Sequence, residues 1–133
     1  MRIIILKLFF VLIALTCISL KANAQASPMG KRYIAEVGAT CKDGIGMLYT
    51  YRILDFKKDS VVISYKVLAE VIPERKEMYE HMYDNLEKTY KWKVKKGILI
   101  IDNCNEFNKM TIQKSTLINK NIEMKPLVFK QEN

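Results

Sequence analysis

Histidine and cysteine are scarce in this chain of 133 residues, which contains one histidine, His81, and three cysteines. Metal sites in proteins draw on several such ligands held together, and no second imidazole is present to complete one. The five glycines are too few and wrongly ordered for a phosphate-binding loop. No serine or cysteine lies in a recognisable nucleophile motif that His81 could activate as a general base. The sequence therefore predicts a protein that is not an enzyme and has no catalytic residue, metal site or cofactor.

The first 24 residues are typical of a secretory signal peptide. A basic start precedes a short apolar run over residues 8–15, and Ala22 and Ala24 supply the two small side chains at the end. We expect cleavage between Ala24 and Gln25, which places the protein in the periplasm or outside the cell. The apolar run is too short to span a bilayer, so we expect no stable membrane insertion after cleavage. An uncleaved membrane anchor is the alternative.

Cleavage changes the composition of the chain. It leaves 109 residues, enough for one domain over residues 25–133, and lowers the formal net charge from +8 to +5, since three of the 22 basic residues are removed. Cys17 is removed as well, and Cys41 and Cys104 remain. An even pair of cysteines in an exported protein is typical of a disulfide. We therefore predict a Cys41–Cys104 bond, with a reactive thiol or a metal ligand as the alternative.

Alternation of apolar and polar residues predicts a protein made mainly of β-strands. Apolar side chains occupy every second position of the segment 60–71. In the segment 90–95, three lysines alternate with Tyr90, Trp92 and Val94, as in an antiparallel sheet with one face in water. Turn residues separate further predicted strands over residues 33–39, 47–56, 98–101, 107–112, 115–118 and 122–130.

One segment follows a helical period instead. Pro73 suits the first turn of a helix. Apolar side chains then recur at four-residue spacing, namely Met78, Met82 and Leu86, with Tyr79 and Tyr83 beside them. We predict an amphipathic helix over about residues 74–87, inserted between the third and fourth strands. Its methionines and tyrosines either pack the helix onto the sheet or form a binding surface.

Eight short strands joined by local hairpins favour an up-and-down meander that closes into a small barrel. The chain resembles bacterial lipocalin-like barrels in Gly30-Lys31-Arg32-Tyr33, in Tyr90-x-Trp92 and in the strand 99–102 followed by residues 107–112. The resemblance covers residues 30–130 and implies an eight-stranded antiparallel barrel. The first strand lacks the Gly-x-Trp that family members carry there, so no ligand site is transferred from the family.

The order of the loops predicts where a site would lie. In a meander, the first, third and fifth loops share one end of the barrel. Cys41 falls in the first, the helix in the third and Cys104 in the fifth, so we expect the disulfide and the helix together at one mouth. The predicted rim of that mouth consists of Lys42, Ile45, Met47, Met78, Tyr79, Met82, Tyr83, Asn103 and Asn105.

These features favour an exported, monomeric binding module that takes up an apolar small molecule or a protein at the barrel mouth. A small secreted enzyme inhibitor or an immunity-type protein that acts through its rim loops is the alternative. The lysines of the segment 90–95 do not predict nucleic-acid binding, because the aromatic residues between them lie on the opposite face. A cavity of several hundred Å³ would favour a small ligand, and a filled core would favour a protein partner.

Overall fold

The computed structural model describes residues 26–42, 44–120 and 125–133. The predicted signal peptide and its cleavage site between Ala24 and Gln25 lie outside the described residues. Eight strands and one helix follow one another in the predicted order within them. They are β1 (Arg32–Lys42), β2 (Gly46–Phe56), β3 (Ser60–Val71), α1 (Pro73–Glu80), β4 (Lys88–Lys95), β5 (Ile98–Ile101), β6 (Lys109–Gln113), β7 (Thr116–Asn119) and β8 (Leu127–Gln131).

Each strand pairs antiparallel with the next, and β8 returns to pair with β1. The predicted eight-stranded up-and-down barrel with one inserted helix is therefore confirmed. Every second side chain of a strand points to the same face. The alternation of apolar and polar residues therefore places the apolar side chains together inside the barrel. The barrel interior is filled by fully buried apolar side chains, among them Leu54, Val61, Leu99, Ile101, Met110, Leu117 and Phe129.

One end of the barrel is closed by aromatic side chains. The rings of Tyr33 and Phe56, and those of Phe56 and Trp92, meet edge to face with centroids 5.8 and 5.5 Å apart. The Trp92 indole Nε1 donates to the carbonyl oxygens of Lys57 and Ser60 at 3.0 and 3.1 Å, which ties β4 to the turn between β2 and β3. Buried indoles need such an acceptor. These contacts form a plug of large side chains at this end.

Strands β1, β2 and β3 are longer than their partners and continue beyond the other end of the barrel. β1 pairs with β8 only through Tyr33 and Ile34, and β3 pairs with β4 only over residues 60–63. β2 nevertheless pairs with both neighbours up to Gly46. Residues 36–42, 46–51 and 64–71 thus form a three-stranded sheet, here called the extension. Its inner face continues the barrel interior.

The helix covers the inner face of the extension but is shorter than predicted and buries different residues. It ends at Glu80. Tyr79 and Tyr83 pack against a small buried cluster of the extension, whereas Met78, Met82 and Leu86 are 50, 47 and 49% exposed. The predicted apolar stripe therefore faces solvent, and the two tyrosines hold the segment on the sheet. No helix among the described residues is long and apolar enough to cross a bilayer.

The predicted Cys41–Cys104 disulfide is not formed, and both residues are free thiols. Cys104 belongs to the buried core of the barrel. A bulge between Glu36 and Gly38 shifts the register of β1, so that Cys41 pairs with Met47 near the tip of the extension and is exposed. A strand rises about 3.3 Å per residue, which carries Cys41 on the order of 20 Å beyond the rim. The two loops share one end, but the extension separates the thiols.

Candidate functional site

A cleft opens where β1 and β8 part, at the end of the barrel opposite the aromatic plug. Its volume is about 890 Å³. The two strands diverge there because only two residue pairs join them, at Tyr33–Gln131 and Ile34–Lys130. Apolar side chains from β1, β8 and the loop after β5 make up most of the wall, including Ile34, Ala35, Val37, Phe107, Leu127 and Val128.

Arg52 lies at the inner end of this cleft because of its position in β2. Every second side chain of that strand points inward. The next two inward residues toward the barrel core, Leu54 and Phe56, are fully buried. The Arg52 side chain is only 16% exposed. Its Nε donates to Oε1 of Glu106 at 3.2 Å. Its Cζ lies 3.9 Å from the ring centre of Tyr65, which faces it directly on β3.

The fold leaves part of this guanidinium without a partner. Nη1 of Arg52 is buried and has no hydrogen-bond partner among the residues described. A buried donor left unpaired costs about 1–3 kcal/mol, and more when the group is charged. The ring of Tyr65 offsets part of this cost through a cation–π contact, worth about 0.5–2 kcal/mol. Arg52 thus carries donor capacity that the folded chain does not use.

The loop that presents Glu106 is firmly held. The ring of Phe107 packs edge to face against that of Phe129, with centroids 5.2 Å apart. Asn119 Nδ2 donates to the carbonyl oxygen of Glu106 at 3.2 Å. Because the neighbouring ring is buried in the core, the backbone of Glu106 is held close to Arg52. The Glu106 side chain itself is 48% exposed.

A polar groove lies on the other side of this ion pair, between β3 and the loop after β5. It has a volume of about 330 Å³, and its walls include Tyr65, Tyr90, Asn103, Asn105 and Glu106. Two of the predicted rim residues, the asparagines, are found here. The Arg52–Glu106 pair thus separates an apolar cleft from a polar groove.

The nine predicted rim residues do not form one continuous rim. Lys42, Ile45 and Met47 lie at the tip of the extension, where the backbone N–H of Ile72 donates to the carbonyl oxygen of Ile45 at 3.1 Å. Met47 shares with Cys41 the outer face, away from α1. The extension therefore moves these three residues away from the barrel mouth.

The helical rim residues are divided as well. Met78 and Met82 face solvent, and Tyr79 packs on the extension. Tyr83 follows the end of the helix, and its ring centroid lies 5.5 Å from that of Tyr65, which lines the groove of the asparagines. The structure thus brings only part of the predicted rim together.

The residues at the centre of the mouth, Arg52 and Glu106, are absent from the sequence-based prediction. The signal for Arg52 is present in the sequence, because it occupies a position between Leu48 and Phe56 at which β2 otherwise points apolar or small side chains inward. A single arginine in that register is unusual, as charged side chains are rarely buried without a partner. Glu106 has no comparable signal, because its position depends on the fold of an irregular loop.

The outer lip of the cleft carries a second acidic contact. Burial raises the pKa of the Tyr51 phenol, and the charge of Glu36 and a hydrogen bond with its carboxylate raise it further. Tyr51 is therefore neutral at physiological pH. Glu106 is the carboxylate that pairs with Arg52.

Neither a metal site among the described residues nor a similar known protein points to a function for this chain. Among the residues that the structure describes, no group of three or more histidine, cysteine, aspartate and glutamate side chains is placed to hold a metal ion. No protein-family model, curated protein or solved structure matches this chain.

Proposed function

We propose that this protein is an exported, non-enzymatic module that binds an apolar small molecule in the cleft between β1 and β8. The observation that carries the proposal is the cleft itself, whose volume of about 890 Å³ and largely apolar wall match those of small-molecule sites. In this proposal the protein acts as a monomer and without a cofactor. Core side chains fill the barrel interior, which by the criterion given above favours a protein partner, so a small ligand would have to bind at the mouth, in the cleft.

The cleft is supported by a rigid base. The aromatic plug and the buried core fix the strands from which the wall residues project. Preformed walls favour binding, because less conformational entropy is lost when the ligand enters. The exposed apolar side chains of the wall, Val37 and Val128, would lose contact with water on binding, which contributes about 25 cal/mol per Å² of apolar surface.

A protein partner is the second candidate, and a different surface supports it. Met78, Met82 and Leu86 expose apolar side chains in the helical segment, whereas Tyr79 and Tyr83 of the same segment pack on the extension. Methionine is frequent on adaptable binding surfaces. An inhibitor or immunity-type protein would use this surface, whereas a small-molecule carrier would use the cleft.

The cleft is tested with phenylnaphthylamine, a neutral apolar dye that fluoresces on leaving water. The chain is expressed from Met1 in an exporting bacterial host and purified as processed, and the intact mass shows whether Gln25 is the first residue. We expect saturable dye binding that the substitution Val37→Trp weakens at least about tenfold by filling the cleft. Leu68→Trp is the matched control, because Leu68 is similarly exposed, at 39% against 36%, but lies outside the cleft.

The two candidates are separated by a pull-down from the exported protein fraction, with mass spectrometry of both proteins and small molecules. A small molecule that is retained by the wild type and lost in Val37→Trp supports the cleft. Recovery of one stoichiometric protein that is lost in a Met78→Ser, Met82→Ser double variant, with no small molecule, would overturn our first choice. Equal dye binding by the wild type and Val37→Trp would also contradict it.

A further inference from the structure

Arg52 gives the cleft a chemical preference that its apolar wall does not. One donor of the guanidinium is used by Glu106, and the buried Nη1 has no partner among the described residues. A folded chain gains nothing from an unsatisfied buried donor, since its desolvation is uncompensated. A ligand that brings an acceptor to this position would recover that cost on binding.

The charges around the cleft favour a negative group. Among the described residues of its wall, Arg52, Lys125 and Lys130 are basic, and Glu36 and Glu106 are acidic. Glu106 is paired with Arg52 and is itself 48% exposed, so water screens much of its repulsion. Three basic and two acidic side chains leave the described wall with a formal net charge of +1.

The position of Nη1 also restricts the form of the ligand. Because this atom is shielded from solvent, an anion cannot reach it from the rim. Arg52 itself lines the cleft and its side chain is 16% exposed, so an apolar body that binds between β1 and β8 would carry an attached anionic group to the part of the guanidinium that the cleft reaches. Small inorganic anions lack such a body and gain nothing from the apolar wall.

We propose, on the basis of the function proposed above, that the ligand of the cleft is an amphipathic anion. It carries a carboxylate, sulfonate or phosphate on an apolar body, and Arg52 binds that group. The planar guanidinium suits such groups, because its N–H donors form charge-assisted hydrogen bonds with two oxygens at once. The apolar wall then binds the body of the ligand.

Two dyes that differ by one charge provide the test. Anilinonaphthalenesulfonate has the ring system of phenylnaphthylamine and one sulfonate in addition. We expect the wild type to bind the sulfonate more tightly, by about tenfold, as one charge-assisted hydrogen bond would give. Arg52→Met should abolish this preference, and Arg52→Lys, which keeps the charge without the planar fork, should retain part of it. Inorganic sulfate should not compete with either dye.

Glu106→Gln distinguishes ligand recognition from a structural ion pair. If Arg52 binds the anion, removal of the competing carboxylate raises the sulfonate preference, by about twofold or more, whereas Arg52→Met lowers it. A purely structural pair would give both variants the same reduced affinity for both dyes. Lys91→Met serves as the charge control, because Lys91 is exposed on β4 outside the cleft, and it should leave the preference unchanged.

The outcomes separate this inference from the proposed function. A sulfonate preference that depends on Arg52 supports both. Equal binding of the two dyes, unchanged in Arg52→Met and Arg52→Lys, overturns the anionic ligand but leaves the apolar cleft in place. Failure of the wild type to bind either dye overturns the cleft and this inference together. Circular dichroism of each variant verifies that it is folded, and Arg52→Lys decides the question if Arg52→Met does not fold.

Discussion

Gly46 offers the sharpest test of how the extension is built, because its conformation and its surroundings both exclude a side chain. Its φ angle of +134° lies where residues other than glycine are rarely found. A Cβ at this position would overlap the carbonyl oxygen of Glu70 and would lie 3.0 Å from the Cα of Val71. These are backbone atoms of the paired strand β3, so neither can move without breaking the ladder.

The expected cost of Gly46→Ala follows from these contacts. Backbone strain of this kind costs about 1–3 kcal/mol, and each ladder hydrogen bond lost at the end of β2 and β3 costs about 0.5–1.5 kcal/mol. We therefore expect the free energy of unfolding to fall by about 2–4 kcal/mol. The loss is no larger, because the tip of the extension can fray and relieve the strain. Gly44→Ala is the control: Gly44 has a φ of +70°, but a methyl group there would meet no atom within 4 Å, so about 0.5–1 kcal/mol is expected.

Urea unfolding measures both variants, with the fluorescence of Trp92 and circular dichroism as independent signals. Amide exchange locates the damage, because the N–H of Ile72 donates to the carbonyl oxygen of Ile45 beside the substitution. That amide should lose protection in Gly46→Ala and keep it in Gly44→Ala. Ala has a positive φ at both sites, but its Cβ overlaps backbone atoms only at position 46. If the free energies of unfolding of the two variants lie within about 0.5 kcal/mol of each other, the reasoning about Gly46 is refuted.

Three further predictions concern single side chains. Trp92→Phe removes two hydrogen bonds to the turn between β2 and β3 and should destabilise the protein by about 1–2 kcal/mol in urea unfolding; no change would contradict the role of the indole N–H. In the processed protein, a thiol reagent should label Cys41 at once and Cys104 only after unfolding, and an oxidised pair with no free thiol would contradict the structure. A hydrogen bond to the Asp84 carboxylate raises the pKa of His81, the single histidine. This contact therefore stabilises the fold fully below the ordinary histidine pKa of about 6.5 and is lost as pH rises through the folded pKa. In an NMR titration, Asp84→Asn should lower the pKa of His81, and an unchanged value would exclude the contact.

The barrel could be predicted because its information is local. Alternation along β3 and β4 assigns Val61, Ile63 and Trp92 to the core side, and the structure places them there. Short turns between successive strands fix the neighbours in the sheet, since antiparallel strands need only a tight connection. Period and turn residues therefore suffice for the order of strands and for the class of fold.

The extension and the site could not be predicted, because they depend on register. The bulge at Val37 reverses which residues of β1 face inward, and in the sequence only the neighbouring Gly38 indicates it. The helical period continues to Leu86, yet the helix ends at Glu80, and the later apolar residues Met82 and Leu86 face solvent. Short helices need packing against the rest of the fold to persist. The apposition of Arg52 and Glu106 likewise depends on the folded loop.

The two ends of the barrel explain why a chain of this size can keep an unsatisfied arginine. The aromatic plug and the fully buried core supply hydrophobic stabilisation at one end, and among the described residues this end contains no buried side-chain nitrogen or oxygen without a hydrogen-bond partner. At the other end, β1 and β8 share only two residue pairs, so little of the barrel's stability depends on the cleft. A costly guanidinium is tolerated there because the fold does not need the cleft to be filled. Because the stabilising core and the cleft lie at different ends of the barrel, the cleft should tolerate substitutions. Arg52 and Val37 can therefore be changed to test binding while the aromatic plug around Phe56 keeps the barrel folded.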